Sequence, residues 1–376
     1  MANISINSHF DSGNIEIIDL SDASNIQLAI PNDSNSEFLQ WFHFHVQVEP
    51  GTECRFRLTN AKDAAYVKGW EGYQAVASYD REHWFRVPTD YVDGELVISH
   101  TPDEHSIYYA YFTPYSYERH LDLLATAQAS ELCDVEQLGE TVDGRLLSVL
   151  NIGQPSEKPP VWIIARQHPG ESMAEWLIEG LLSRLLDEED PIARELLSEY
   201  AFRVVPNMNP DGSVRGNLRA NAAGKNLNRE WLEPTMEGSP EVYLVRQKML
   251  ETGVSLFLDV HGDEAIPYNF LAGCEGIPSY DERHKMLEDT FKRSFLSASP
   301  DFQVTHGYDE DAPGQANMTM ATTWVGEQFN CLSYTLEMPF KDNDNLPDPE
   351  CGWSASRSMK LGEALLQPIL ETLKVS

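Results

Sequence analysis

The sequence predicts an all-β sandwich followed by an α/β domain with a mixed central sheet flanked by helices, and three observations carry that prediction. Over about the first 115 residues apolar side chains alternate with polar ones at a period of two, the pattern of half-buried strands. After that, helical stretches alternate with short, wholly apolar runs, the mark of strands buried on both faces. The polar residues that stand out chemically fall at the ends of those runs. The domains are expected to be 1–116 and 117–376.

In the first domain Phe42, Phe44, Val46 and Val48 interleave with His43, His45 and Gln47, and Cys54, Phe56 and Leu58 interleave with Arg55 and Arg57. Turns at Pro50-Gly51 and Asp93-Gly94 separate the runs, and the aromatic stretch Ile107 to Tyr117 closes the module. His43 and His45 share a strand face and form a candidate second metal pair, although alternate polar residues are the norm on a half-buried strand. In the second domain the decisive strands are Val161 to Ala165, Phe202 to Val205, Ser255 to Val260 and Cys331 to Leu336. Ser172-Met173-Ala174-Glu175 reads as a capping box opening a helix whose Leu177, Leu181 and Leu185 recur at i, i+4. Ile178, Leu182 and Leu186 widen its apolar face, and Trp176 and Trp231 read as packing anchors.

Bulk properties exclude some functions. Asp plus Glu number 60 against 27 Lys plus Arg, a formal net charge of −33, which opposes attraction to phosphate backbones, so no nucleic-acid partner is expected. The start, MANISINSHFDSGN, lacks a basic region followed by an apolar one, and no stretch approaches a membrane span. A cytoplasmic location without membrane contact is the expectation. The five cysteines are odd in number and lack a C-x-x-C spacing, so they read as free thiols.

In sheets of this kind ligands gather at the carboxyl ends of the strands. His168 and Glu171 follow the first strand in RQHPGES, with Gly170 giving the chain a sharp turn between them. His261 follows the third strand in FLDVHGDE, where Asp263 and Glu264 read as local structure. Two imidazoles and a carboxylate, with a water in the fourth position, form a catalytic zinc set. Each member taken alone has a plainer reading, a solvated loop for the pair and a hydrogen-bonded core histidine for His261. Glu337 closes the apolar fourth strand in SYTLEMPF, where burial without purpose is costly. Beside a metal it would serve as general base and then return the proton to the leaving amine. Residues 207–231 form a long structured loop that offers Arg219, Asn228 and Arg229, groups suited to a carboxylate and to an oxyanion.

HPGE, NPDG, GNLR, LNREW, DVHG and YTLE, in that order, resemble the metallocarboxypeptidase superfamily, and most closely its cytosolic carboxypeptidase branch with its bacterial members. YYAYFTPYSYERH is similar to the end of the β-sandwich that precedes the catalytic domain in that branch. The resemblance implies that His168, Glu171 and His261 bind one Zn2+ and that Glu337 is the general acid/base. It further implies that Arg219 stabilises the oxyanion and that Asn228 and Arg229 clamp the terminal carboxylate of a peptide or protein. For the mobile tyrosine that caps the substrate in this family the candidate is Tyr308, in THGYDEDAPG; an exposed loop tyrosine is the other reading.

Two departures from the family pattern stand out. Asn226 replaces the Asp that usually accepts a hydrogen bond from the first zinc histidine, which implies weaker metal affinity. The branch is associated with removal of C-terminal glutamate, yet Ser294 to Phe340 holds no Lys or Arg. Arg215, Lys225, Arg246 and Lys248, or more weakly His306, are the other sources of a pocket cation. Two further functional readings are a zinc amidase deacylating small N-acyl amino acids and a non-catalytic module that holds a peptide C-terminus. The length of accepted substrates separates the first from a carboxypeptidase, and a missing metal donor or catalytic carboxylate would mark the second. A sandwich that narrows access to the cleft favours peptides or proteins as partners.

Overall fold

A computed structural model of the chain describes residues 4–154 and 158–376. In the N-terminal domain one five-stranded sheet runs in the order Ser5–Asn7, His43–Gln47, Ser106–Ala110, Val76–Ser78, Phe85–Arg86. The other runs Glu16–Asp19, Ile26–Ala29, Cys54–Leu58, Glu95–His100, Thr89–Val92. Alternation decides which side chains meet between the sheets. Cys54, Phe56 and Leu58 are fully buried while Arg55 is exposed, and Phe56 and Phe44 pack on Tyr109 with ring centroids 4.9 and 5.3 Å apart. Each such ring contributes roughly 1.5–3 kcal/mol by leaving water. His43 and His45 lie on the opposite face of their strand and pack there: His43 is buried and bonded to Ser12 Oγ, and His45 stacks on Tyr108.

The second domain holds a mixed seven-stranded sheet with strands β1 (Cys133–Glu140), β2 (Leu146–Ile152), β3 (Pro160–Ala165), β4 (Ala201–Val205), β5 (Leu256–Asp263), β6 (Phe270–Ala272) and β7 (Leu332–Pro339). Their order is β1-β2-β4-β3-β5-β7-β6. The four central strands β4, β3, β5 and β7 are parallel, and the edges are antiparallel. Every residue of those four strands is buried, which is why they read as continuous apolar runs. Alternate residues face opposite layers. Val161 and Ile163 join a core with helices α2 (Met173–Leu185), α8 (Ala355–Ala364) and α9 (Leu366–Leu373), whereas Trp162 and Ile164 pack with α5 (Pro240–Thr252) and α7 (Ala321–Phe329).

Helix α2 crosses α8 at two glycines. A Cβ on Gly180 would lie 2.0 Å from Met359 O, and one on Gly362 2.0 Å from Leu177 O, so Ala at either position would push the helices apart. The capping box expected at Ser172 is not formed. Ser172 Oγ donates to Thr113 O, and Glu175 is drawn into a buried network with Arg166, His120 and Asn207. Ion pairing in that network outweighs the local cap. The two domains share one apolar core, in which Tyr111 stacks on Phe340 at 4.6 Å. Among the described residues no helix is long and apolar enough to cross a membrane.

Candidate metal centre and cleft

Beyond β3 the chain turns through Arg166, a non-glycine residue at φ 58°. That conformation is uncommon for a bulky residue, and the buried guanidinium explains how it is held. Its Nε donates to Pro169 O at 2.9 Å, and its Nη1 to Tyr115 O at 2.9 Å and to Glu175 at 2.8 Å. The brace fixes the HPGE turn at the carboxyl edge of the sheet. Gly170 is required there for a reason different from the turn itself: a Cβ would meet the Leu218 backbone at 3.0 Å, and Gly170 N donates to Leu218 O at 2.8 Å. The HPGE turn is thereby stitched to the segment carrying Arg219.

His168, Glu171 and His261 come together, all buried, with their donor atoms within 4.8 Å of one another. His168 Nδ1 lies 2.7 Å from Glu171 Oε1, His261 Nδ1 lies 2.8 Å from Glu171 Oε2, and the two Nδ1 atoms are 3.1 Å apart. The far nitrogens assign the tautomers. His168 Nε2 donates to Asn226 Oδ1 at 3.0 Å and His261 Nε2 faces Asp259 Oδ2 at 2.9 Å, so lone pairs on both Nδ1 atoms point at each other and at a carboxylate. Three electron-rich atoms converging in a buried space fit a small cation, and two imidazole nitrogens with a carboxylate oxygen are a donor set that suits zinc.

Electrostatics agree with that fit. Burial, with help from Arg219, pushes His168 down to about 4, which keeps it a neutral ligand. Burial would raise Glu171, but the two histidines outweigh it and hold the carboxyl low. For His261, burial is outweighed by Asp259 and Glu171, which pull its pKa up: the position between the two carboxylates favours positive charge, a proton on Nδ1 without a cation and the cation in that proton's place when one is bound. Asp259, two residues upstream and therefore on the same strand face, braces the second histidine and is itself bonded to Gln167 at 2.6 Å. The sequence reading passed over it, although an Asp inside an apolar strand was a usable signal.

Strands β5 and β7 run further than their apolar stretches, so His261 and Glu337 lie within the ladder as cross-strand neighbours instead of beyond it. Glu337 is 7% exposed, and its Oε2 has no hydrogen-bond partner among the described residues. Burial raises its pKa well above the carboxylate range, with His261 opposing and Glu171, Asp263 and Glu264 reinforcing. The Tyr308 hydroxyl donates to Asp263 Oδ2 at 2.6 Å and lies 3.3 Å from Glu337 Oε1, so this loop tyrosine reaches the Glu337 carboxylate. Asp263 also accepts from Ala265 N and Ile266 N, the local role expected of it. Glu264 does more than shape the chain. It lines the cleft, burial raises it to about 8, and its Oε1 is unpartnered among the described residues.

Arg219, Asn228 and Arg229 line the same cleft of about 660 Å³ as the His-Glu-His cluster. Asn228 is fixed by accepting Ala321 N at the start of α7, at 2.9 Å. Burial and repulsion from Arg219 lower the pKa of Arg229, and two guanidinium groups near enough to repel make the cleft favourable to an anion. Besides the two arginines, the cleft has a cation that is not among the candidates read from the sequence. Lys292, on helix α6 (Glu282–Ala298), lines the cleft with its Nζ 3.7 Å from Glu275. Arg215 pairs with Asp143, Lys225 with Glu230 and Lys248 with Glu136, and Arg246 lies over Trp324; none lines the cleft. His306 does, stacked on Tyr268. Lys292 stands two residues before the cation-free segment, and only the helix face brings it to the pocket.

A parallel-centred sheet whose strand ends carry a His-Glu-His cluster and a buried carboxylate, with two loop arginines lining the same cleft, has the build of a metallopeptidase. Residues 6–112 match the family model of the cytosolic carboxypeptidase N-terminal domain, residues 117–355 match that of the zinc carboxypeptidases, and the chain belongs to the zinc carboxypeptidase family. A metallo-carboxypeptidase from Pseudomonas aeruginosa, solved in complex with (2-guanidinoethylmercapto)succinic acid, is 48% identical with a TM-score of 0.96 over 99% of both chains. One from Burkholderia cenocepacia is 49% identical with a TM-score of 0.96 over 100% of both chains. Mouse cytosolic carboxypeptidase 6 is 28% identical over 362 residues, 88% of this chain, which spans 66% of the length of that relative.

Proposed function

We propose that the chain is a zinc-dependent carboxypeptidase that hydrolyses the last peptide bond of peptides or proteins in the cytoplasm. The observation that carries this reading is the juxtaposition of the buried His168-Glu171-His261 cluster with the unpaired oxygen of Glu337 on the neighbouring strand. His168, Glu171 and His261 would hold the zinc, which when bound supplies Lewis acidity to activate water and polarise the scissile carbonyl.

The chain's own groups carry the rest. Glu337 takes a proton from the attacking water at its free oxygen and gives it to the nitrogen of the leaving amine. Its raised pKa suits the second of those tasks, since the proton is retained until the amine needs it. Arg219 donates to the oxyanion that develops as the carbonyl becomes tetrahedral. Arg229 and the amide of Asn228 hold the substrate's terminal carboxylate, so that only the last peptide bond lies over the reacting groups. Tyr308 closes over the bound residue and excludes water. The Pseudomonas relative's ligand supports this arrangement, since its succinic acid portion offers two carboxylates to a cleft of this kind.

The test is mass spectrometry of a peptide set incubated with the zinc-loaded protein and with Glu337→Gln. Loss of single residues from the C-terminus, abolished in the variant while zinc stays bound, is the expected result. Cleavage within peptides, or undiminished turnover by the variant, would overturn the proposal.

A further inference from the structure

Asp33 belongs to the sandwich, yet its carboxylate is buried among backbone groups of the catalytic domain. Oδ1 accepts from Leu218 N at 2.6 Å, and Oδ2 accepts from Arg219 N at 2.7 Å and Ala220 N at 2.8 Å. Three successive N–H groups converging on one point make a concavity for an anion, and the bonds that fill it are charge-assisted. Its neighbours extend the grip: Ser34 N donates to Asn217 Oδ1 at 3.1 Å and Asn35 Nδ2 to Ala222 O at 3.0 Å. The sandwich also grips the side chain. The Arg219 guanidinium lies 5.2 Å from the ring centroid of Tyr66 and 6.0 Å from that of Phe38, a cation–π contact on each. Gln40 holds Tyr66 in turn, accepting from Tyr66 N at 2.8 Å. Among the described residues the guanidinium donates no hydrogen bond to the protein, and its Nη1 is 4.0 Å from Glu171 Oε1. Its donors stay available to substrate while rings and backbone fix its place.

We infer that Asp33 is a positioning residue for Arg219, so that the sandwich supplies part of the catalytic machinery. The inference rests on the reading of Arg219 as the oxyanion donor. Displacing such a group by about 1 Å costs on the order of a hundredfold in rate, and the Asp33 clamp sets the backbone from which Arg219 projects.

The experiment is a double-mutant cycle on the zinc-loaded full chain, with kcat, KM and zinc content measured for Asp33→Asn, Arg219→Ala and the pair. Asp33→Asn is expected to lower kcat about ten- to a hundredfold, with KM and zinc content little changed, and to add almost nothing in the Arg219→Ala background. A clamp that only docks the domains would multiply the Arg219→Ala loss in full, or act through KM or zinc; each of those results overturns the inference. Asp33→Glu, which keeps the negative charge and displaces the carboxylate by one methylene, carries the same cycle with the same expected and overturning results if Asp33→Asn does not fold. Wild-type kcat in Arg219→Ala would sink the assigned role of Arg219 and this inference with it. An impaired Arg219→Ala beside an unimpaired Asp33→Asn would sink the inference alone.

Discussion

The metal cluster and the Arg219 segment face each other across one cleft but are supported from different places. Each histidine of the cluster is braced from within the α/β domain, His168 by Asn226 and His261 by Asp259. Arg219 is held mainly by Asp33, Phe38 and Tyr66 of the sandwich. The backbone ties between the two sides are few: Gly170 N donates to Leu218 O, and Ala220 is bridged to Asn226, the brace of His168. Under the proposed function, metal binding and transition-state stabilisation should be largely separable by mutation, with substitutions on one side leaving most of the other side's signature intact.

The largest effect that sharpens this contrast comes from Glu337, which belongs to neither support. Glu337→Gln is expected to reduce kcat by about a thousandfold or more with zinc retained, read by peptide turnover beside metal analysis; loss of zinc would show that Glu337 helps hold the ion. Arg219→Ala is expected to cost about a hundred- to a thousandfold in kcat with unchanged zinc affinity, measured by competition with a chromogenic chelator. Asp259→Asn should do the reverse, weakening zinc about ten- to a hundredfold while kcat of the fully loaded protein falls far less. Equal loss of both quantities would break the comparison. The smallest change expected is in Asn226→Asp, which restores a carboxylate behind His168 and should tighten zinc by up to about tenfold; unchanged affinity would mean that Asp259 alone sets it.

The sequence was legible where chemistry interrupts a strong pattern. Apolar runs followed by His168, His261 and Glu337 point to a shared edge because parallel strands align their carboxyl ends, and the mixed sheet behind a β-sandwich follows from the change of period near residue 117. What stayed hidden depended on contacts between distant segments. Asp33 sits in PNDSNSE, which reads as a solvated turn; only domain docking buries it to 4% exposure. Lys292 reaches the pocket through the rotation of one helix, and the need for glycine at position 170 arises from a segment nearly 50 residues away. Glu175 looked like a cap because local bonds are all that a short motif can offer, and its partners Arg166, His120 and Asn207 come from three other segments.

The filled anion concavity at Leu218–Ala220 bears on how such a protein can be recombined. A catalytic domain of this kind, grafted behind a foreign sandwich, would inherit every metal donor but arrive with three backbone N–H groups facing nothing. The two halves would have to be exchanged as a matched pair, or the incoming sandwich would have to bring an acidic side chain to the place that Asp33 fills.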